Sequence, residues 1–126
     1  MNAEFESSLP IFQQIIDKII LAIAKGELIP GERIASVREL AVDFQVNPNT
    51  MQRSLAKLGE MGYLYTERTG GRFVTENLEL IRAAQSRIPA GIVKKFMSEM
   101  LDFGMKPHEI VKCVNDYIER LVIDGN

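Results

Sequence analysis

Little in this chain supports chemistry at a reactive centre. Of its 126 residues one is cysteine, Cys113, one is histidine, His108, and none is tryptophan. A lone cysteine rules out an internal disulfide and fits a reducing compartment, and one cysteine with one histidine cannot complete a zinc set. His108 follows Pro107 at an expected helix start, where capping or solvent exposure outweighs general-base work. Adjacent glycines occur only at Gly70-Gly71, between two strand-like stretches, so no phosphate loop of the nucleotide-binding kind is present. Met97, Met100 and Met105 are read as core filler rather than a metal box. Long apolar runs are missing too. The stretch from Ile15 to Ala24 is broken by Asp17 and Lys18 and falls far short of a membrane span, and no basic-then-apolar leader opens the sequence. The expectation is a soluble, cytoplasmic protein with no enzymatic activity, no metal and no cofactor.

Charge of one sign is also scarce. The formal net charge is −2, yet its distribution is uneven: residues 1–32 carry 2 basic and 5 acidic side chains, residues 33–75 carry 6 and 4, and residues 76–126 carry 7 and 8. Only the middle segment is positive. So small an excess predicts weak non-specific attraction to polyanions, leaving affinity to specific contacts and to two sites engaged together.

That middle segment holds the most informative pattern. Ser36 and Glu39 form the S-x-x-E capping box of a short helix over Val37–Phe44, with Val37, Leu40, Ala41 and Phe44 on one face. Gln45-Val46 makes a tight turn. Asn47 is a good N-cap, Pro48 sits where its missing N–H is harmless, and Met51, Leu55 and Leu58 form the next apolar stripe. Two short helices joined by such a turn are the helix-turn-helix signature. The opposite face of the second helix carries Asn49, Thr50, Gln52 and Arg53 near its start, where a recognition helix meets base edges. Asn and Gln pair twice with adenine, and Arg does so with guanine. An ordinary solvated helix would look the same, so the context decides. Gly62 ends the helix, Tyr63–Glu67 and Phe73–Thr75 read as strands with Leu64 and Thr66 sharing a face with Val74, and Arg68-Thr69-Gly70-Gly71-Arg72 is a flexible tip flanked by cations. Such a loop fits a phosphate backbone or the minor groove.

These residues resemble the GntR-type winged-helix transcription regulators. The resemblance rests on Gly31, on Ser36-Val37-Arg38-Glu39-Leu40-Ala41, on Val46 to Arg53, on Leu58 with Gly62, and on Gly71-Arg72-Phe73-Val74, with Leu9 to Ile15 similar to the family's first helix. It implies binding of double-stranded DNA, an inverted-repeat operator, by a homodimeric repressor. It further implies that Arg38 binds phosphate or base, that Asn47, Asn49, Thr50 and Gln52 line the major groove, and that the wing tip enters the minor groove. Two departures stand out. The family's Leu-Pro-Ser is Ile34-Ala35-Ser36 here, and the wing has Thr69 followed by adjacent Gly70-Gly71. The expected DNA-binding set is Arg38, Asn47, Asn49, Thr50, Gln52, Arg53, Arg68, Gly70, Gly71 and Arg72. A winged-helix adaptor that binds protein instead of DNA is the alternative; such modules usually lose the polar recognition face kept here. An RNA-binding module would want exposed stacking aromatics, and Tyr63 and Tyr65 are read as hairpin packing.

On either side lie helices. Roughly Ser8 to Lys25 places Phe12, Ile16, Ile19, Ile20 and Ile23 on one stripe with Ile11 and Ile15 beside it, a third helix for the domain, and the Gly26–Gly31 linker reads as a surface loop. After Thr75 two helices are expected, about Asn77 to Phe103, interrupted or kinked at Pro89, and about Pro107 to Ile123. The fold class is mainly α with a small β-hairpin wing: a three-helix winged helix-turn-helix domain over residues 1–75 plus a two-helix dimerisation segment over 76–126. That segment cannot bury its own apolar faces, so Ile92, Phe96, Met100, Ile110, Val114, Ile118 and Leu121 are expected to face a second copy. So short a tail is similar to the YtrA-like subgroup of compact dimeric repressors. It leaves little room for a ligand cavity, so an unidentified small-molecule effector would sit at the dimer interface or between tail and wing.

Overall fold

The computed structural model describes residue 5 and residues 9–125. Contacts divide the chain into two compact units, Met1–Ile88 and Pro89–Asn126.

The first unit opens with α1 (Ile11–Ala24), whose N-cap is Pro10. The expected start at Ser8 lies outside the described residues. Helix α1 buries Ile15, Ile16, Ile19, Ile20 and Ile23, while Phe12 is half-buried and Ile11, in the first turn, is exposed. Helix α2 (Val37–Phe44) starts at Ser36, whose hydroxyl oxygen accepts from the Glu39 N–H at 3.1 Å. Glu39 completes the cap differently from the expected box: its carboxylate accepts from the Ser36 hydroxyl at 3.0 Å. Gln45 then takes a left-handed backbone, φ 57°, and turns the chain with Gln45 N–H donating to the Val42 carbonyl and Val46 N–H to that of Ala41. Helix α3 (Pro48–Met61) follows with Asn47 Oδ1 accepting from the Asn49 N–H at 2.7 Å, and Gly62 at φ 90° ends it as a residue without Cβ readily does.

Strands β1 (Leu64–Thr66) and β2 (Arg72–Val74) pair antiparallel with Leu64 opposite Val74, Tyr65 opposite Phe73 and Thr66 opposite Arg72. Leu64 and Val74 are buried, but Thr66, on the same face nearer the tip, is exposed because the hairpin has left the core by then. A third segment joins this ribbon. Val74 N–H donates to the Glu32 carbonyl at 2.8 Å, Ile34 N–H to that of Arg72 at 3.0 Å, and Gly31 N–H to that of Val74 at 2.9 Å, with Arg33 bridging Phe73. The end of the expected surface loop is thus already tied to β2.

Helix α4 (Leu78–Asp102) is capped by Asn77 Oδ1, which accepts from Glu79 and Leu80 N–H, and it runs on through Pro89 without the expected interruption. Its first turns belong to the core just described: Ile81 and Ala84 are buried there, Gln85 Nε2 donates to the Ala24 carbonyl at 3.0 Å, and Arg87 Nη2 donates to the Tyr63 hydroxyl at 3.3 Å. The first compact unit thus runs on through Ile88.

The second unit comprises the remainder of α4 and α5 (Pro107–Ile123). The turn between them has Gly104 at φ 103°, and Glu109 accepts from the Lys106 N–H at 2.9 Å. Ile110, one turn into α5, is only 3% exposed within the single chain. Ile92, Ile118 and Val122 are exposed, and Phe96, Met100, Val114 and Leu121 are half-buried. Among the described residues no helix is long and apolar enough to cross a membrane.

Leu58 on α3 is fully buried in the first unit's core. Leu58→Ala is expected to lower the unfolding free energy by roughly 2–5 kcal/mol, from lost transfer energy plus a cavity, as read by urea denaturation followed by circular dichroism.

Candidate nucleic-acid interface

The outer face of α3 is set by what its inner face buries. Met51, Ser54, Leu55 and Leu58 are buried, so the helical period leaves Asn49, Gln52 and Arg53 exposed and Thr50 half-buried. Ser54 holds its hydroxyl inward, donating to the Thr50 carbonyl at 2.8 Å and lying 3.4 Å from that of Phe12. Arg53 has its guanidinium 5.0 Å from the centre of the Phe12 ring, a cation–π contact that steadies the side chain without consuming its charge. Asn47, exposed at the N-cap, uses its side-chain carbonyl on the helix and keeps its amide N–H groups as donors.

The wing encloses the second part. A cleft of about 690 Å³ lies between the start of α2 and the hairpin tip, lined among others by Arg33, Ser36, Arg38, Gly70, Gly71 and Arg72. Four of the expected residues, Arg38, Gly70, Gly71 and Arg72, are brought together there, whereas Arg68 stands exposed on the tip and does not line it. A second cleft of about 460 Å³, between α3 and the hairpin, is lined by Ala56, Gly59, Tyr65, Thr66 and Arg72, so Thr66 and Arg72 belong to both. The ion pairs among the described residues, Lys25–Glu27, Lys57–Glu60 and Lys112–Asp116, use none of the arginines of this face. Tyr65 stacks on Phe73 with ring centres 5.6 Å apart. Its hydroxyl is pushed above the usual tyrosine range, first by loss of water and then by the carboxylates of Glu76 and Glu67, so it stays a neutral donor.

Arg33 was absent from the expected set. The signal was faint, a single charged residue before the buried Ile34, and only pairing with a distant strand brings it to the cleft. Gly71 explains the approach: a Cβ there would stand 2.8 Å from Arg33 Nε, 3.0 Å from Cζ and 3.1 Å from Nη2. Gly70 and Gly71 both have positive φ, but nothing would meet a Cβ on Gly70. His108 and Cys113 are exposed on α5, and among the described residues no group of three or more His, Cys, Asp or Glu side chains could hold a metal.

Gly70→Ala and Gly71→Ala should each cost about 1–2 kcal/mol from left-handed backbone strain, with the second larger because Arg33 must also move. Adding Arg33→Ala is expected to bring Gly71→Ala down to the Gly70→Ala level in a chemical denaturation cycle; no such recovery would show that the close approach has no energetic weight.

Comparison with known proteins fits this geometry. Residues 11–74 match the family described as bacterial regulatory proteins, gntR family. The HTH-type transcriptional repressor YtrA of Bacillus subtilis is 39% identical over 71 residues, covering 56% of this chain and 55% of that protein. A GntR family transcriptional regulator from Listeria monocytogenes superposes with a TM-score of 0.80 at 36% identity, covering 89% of this chain and 98% of that one. The AraR DNA-binding domain, solved in complex with operator ORX1, superposes with a TM-score of 0.51 at 28% identity over 60% of this chain and 92% of its own.

Proposed function

Because the chain belongs to the GntR family of bacterial regulatory proteins, we propose that it is a sequence-specific DNA-binding repressor acting in the cytoplasm as a homodimer on an inverted-repeat operator. The observation that carries the reading is the polar first turn of α3 together with a wing cleft whose arginines enter no ion pair among the described residues. A helix N-terminus presenting Asn49 and Gln52 suits the major groove, and the wing's cations suit the flanking backbone or minor groove. Kinship adds to this: YtrA is a repressor by name, and AraR was solved on its operator.

In this reading Asn49, Thr50, Gln52 and Arg53 face bases, Asn47 donates from the cap, and Arg38, Arg68 and Arg72 hold phosphates, with Gly70 and Gly71 letting the tip approach. Residues 1–75 carry the reading surface, residues 76–88 pack on its core, and the rest of the 76–126 segment joins the copies. The second unit supports the dimer with an apolar groove of about 310 Å³ lined by Phe96, Cys113, Val114 and Tyr117. Around it Ile92, Ile118 and Val122 are exposed, an arrangement a lone copy leaves in water. A small-molecule effector would act through that seam by changing the spacing of the two reading helices, which must sit about one helical turn or a multiple apart on DNA.

Gln52→Ala and Asn49→Ala are expected to cost roughly 1–3 kcal/mol on the cognate duplex and to relax specificity. Loss of Arg38, Arg68 or Arg72 should weaken binding on every sequence and flatten the salt slope by about one unit each. Titrations on a duplex selected from a random library and on its scramble separate the two groups, and the opposite pattern would reverse the assigned roles. Light scattering of the full chain at micromolar concentration should give twice the chain mass, and Ile118→Asp should halve it; a monomeric wild type would refute the dimer.

A further inference from the structure

Arg33 comes from neither the reading helix nor the hairpin, yet it lines the wing cleft with Arg38 and Arg72. Its backbone is pinned on both sides, by Val74 N–H on the Glu32 carbonyl and by Ile34 N–H on the Arg72 carbonyl. Its guanidinium lies along the Gly71 backbone, close enough that any side chain at 71 would displace it. A planar guanidinium suits that seat. Two neighbouring carboxylates accept hydrogen bonds from other groups. Glu39, the only acidic residue lining the cleft, accepts from the Ser36 hydroxyl, and Glu32 accepts from the Ile29 N–H at 2.9 Å. Three guanidiniums therefore share one cleft with one carboxylate, a local excess of positive charge in a protein whose net charge is −2. Like charges so grouped repel, and an anion between them removes the repulsion.

We propose that Arg33 is a further DNA-contacting residue, the third cation of a clamp on a backbone phosphate bound in the cleft between α2 and the wing. The proposal rests on the operator-binding reading and adds a residue to it. The ligand is a phosphodiester of the duplex, because the cleft opens onto the wing tip, whose Arg68 stands exposed beyond it. The seat on Gly71 couples the cation to the wing: the tip cannot shift without moving the Arg33 guanidinium.

The test compares full-length wild type, Arg33→Ala and Arg33→Lys on a duplex selected by the wild type from a random library and on its scramble, across several salt concentrations. Circular dichroism melts first establish that the variants are folded. Arg33→Ala is expected to weaken both duplexes by a similar factor, roughly 5-fold near physiological salt, and to lower the salt slope by about 0.9, the counterion release of one phosphate. Arg33→Lys should keep the slope. A folded Arg33→Ala with wild-type slope would overturn the proposal, as would Arg33→Lys losing as much slope as the alanine variant, since the residue would then act through packing alone. A wild type that selects no duplex would instead refute the operator reading and this proposal with it. Titration with inorganic phosphate, followed by NMR shifts of the Gly70 and Gly71 amides, distinguishes the other source: saturation at micromolar phosphate with duplex binding indifferent to Arg33 would mark a small-anion site and overturn the DNA assignment.

Discussion

Met51, Leu55 and Leu58 lie against the isoleucine face of α1, and the Ser54 hydroxyl between them turns inward to the Thr50 carbonyl, with that of Phe12 at 3.4 Å. This contact fixes the rotation of α3 about its own axis. Each residue advances a helix by about 100°, so a slip of one position would expose Met51 and Leu58 and bury Gln52 or Arg53, amide and charged groups that cannot enter an apolar core without partners. The chemistry available at the surface is thus a by-product of packing on the hidden side. The caps reinforce it, because Asn47 and Gly62 mark where the helix starts and stops and so which turn presents Asn49.

The wing obeys a different constraint. Its strands have three residues each and would be marginal as an isolated hairpin. Two outside attachments hold it: the Glu32–Ile34 segment bonded along β2, and Tyr63, which is buried, whose N–H donates to the Leu58 carbonyl and whose hydroxyl receives Arg87. The ribbon is consequently fastened at its base on both edges, while Gly70 and Gly71 leave the tip free of side-chain bulk. Arginines can be crowded at that tip because it is open to water, where repulsion is screened until a polyanion arrives.

What could be read from the sequence was what local chemistry decides. Val37–Phe44 matched the helix observed, and Pro48 and Gly62 bounded the next one, since capping and the preferences of proline and glycine act over a few residues. The exposure of Asn49 and Gln52 followed from the position of Met51, Leu55 and Leu58 alone. What escaped was non-local. The pairing of Glu32–Ile34 with β2 has no periodicity to betray it, and the seat of Arg33 on Gly71 joins residues far apart in the chain. Pro89 was expected to interrupt or kink α4, and the helix is not interrupted there, since one with other hydrogen bonds on both sides tolerates one missing donor. Ile110 looked like its neighbours on α5 by pattern, yet it is buried within the single chain.

Thr66 and Arg72 line the clefts on both flanks of the hairpin. Any inherited change at either position therefore alters the α2 side and the α3 side together, and its effects are pleiotropic by geometry. Asn49 and Gln52 line neither cleft, so they can vary without disturbing the wing. On the proposed reading, a lineage of such regulators would drift to new target sequences through these modular positions, while the shared floor of the two clefts stays nearly frozen.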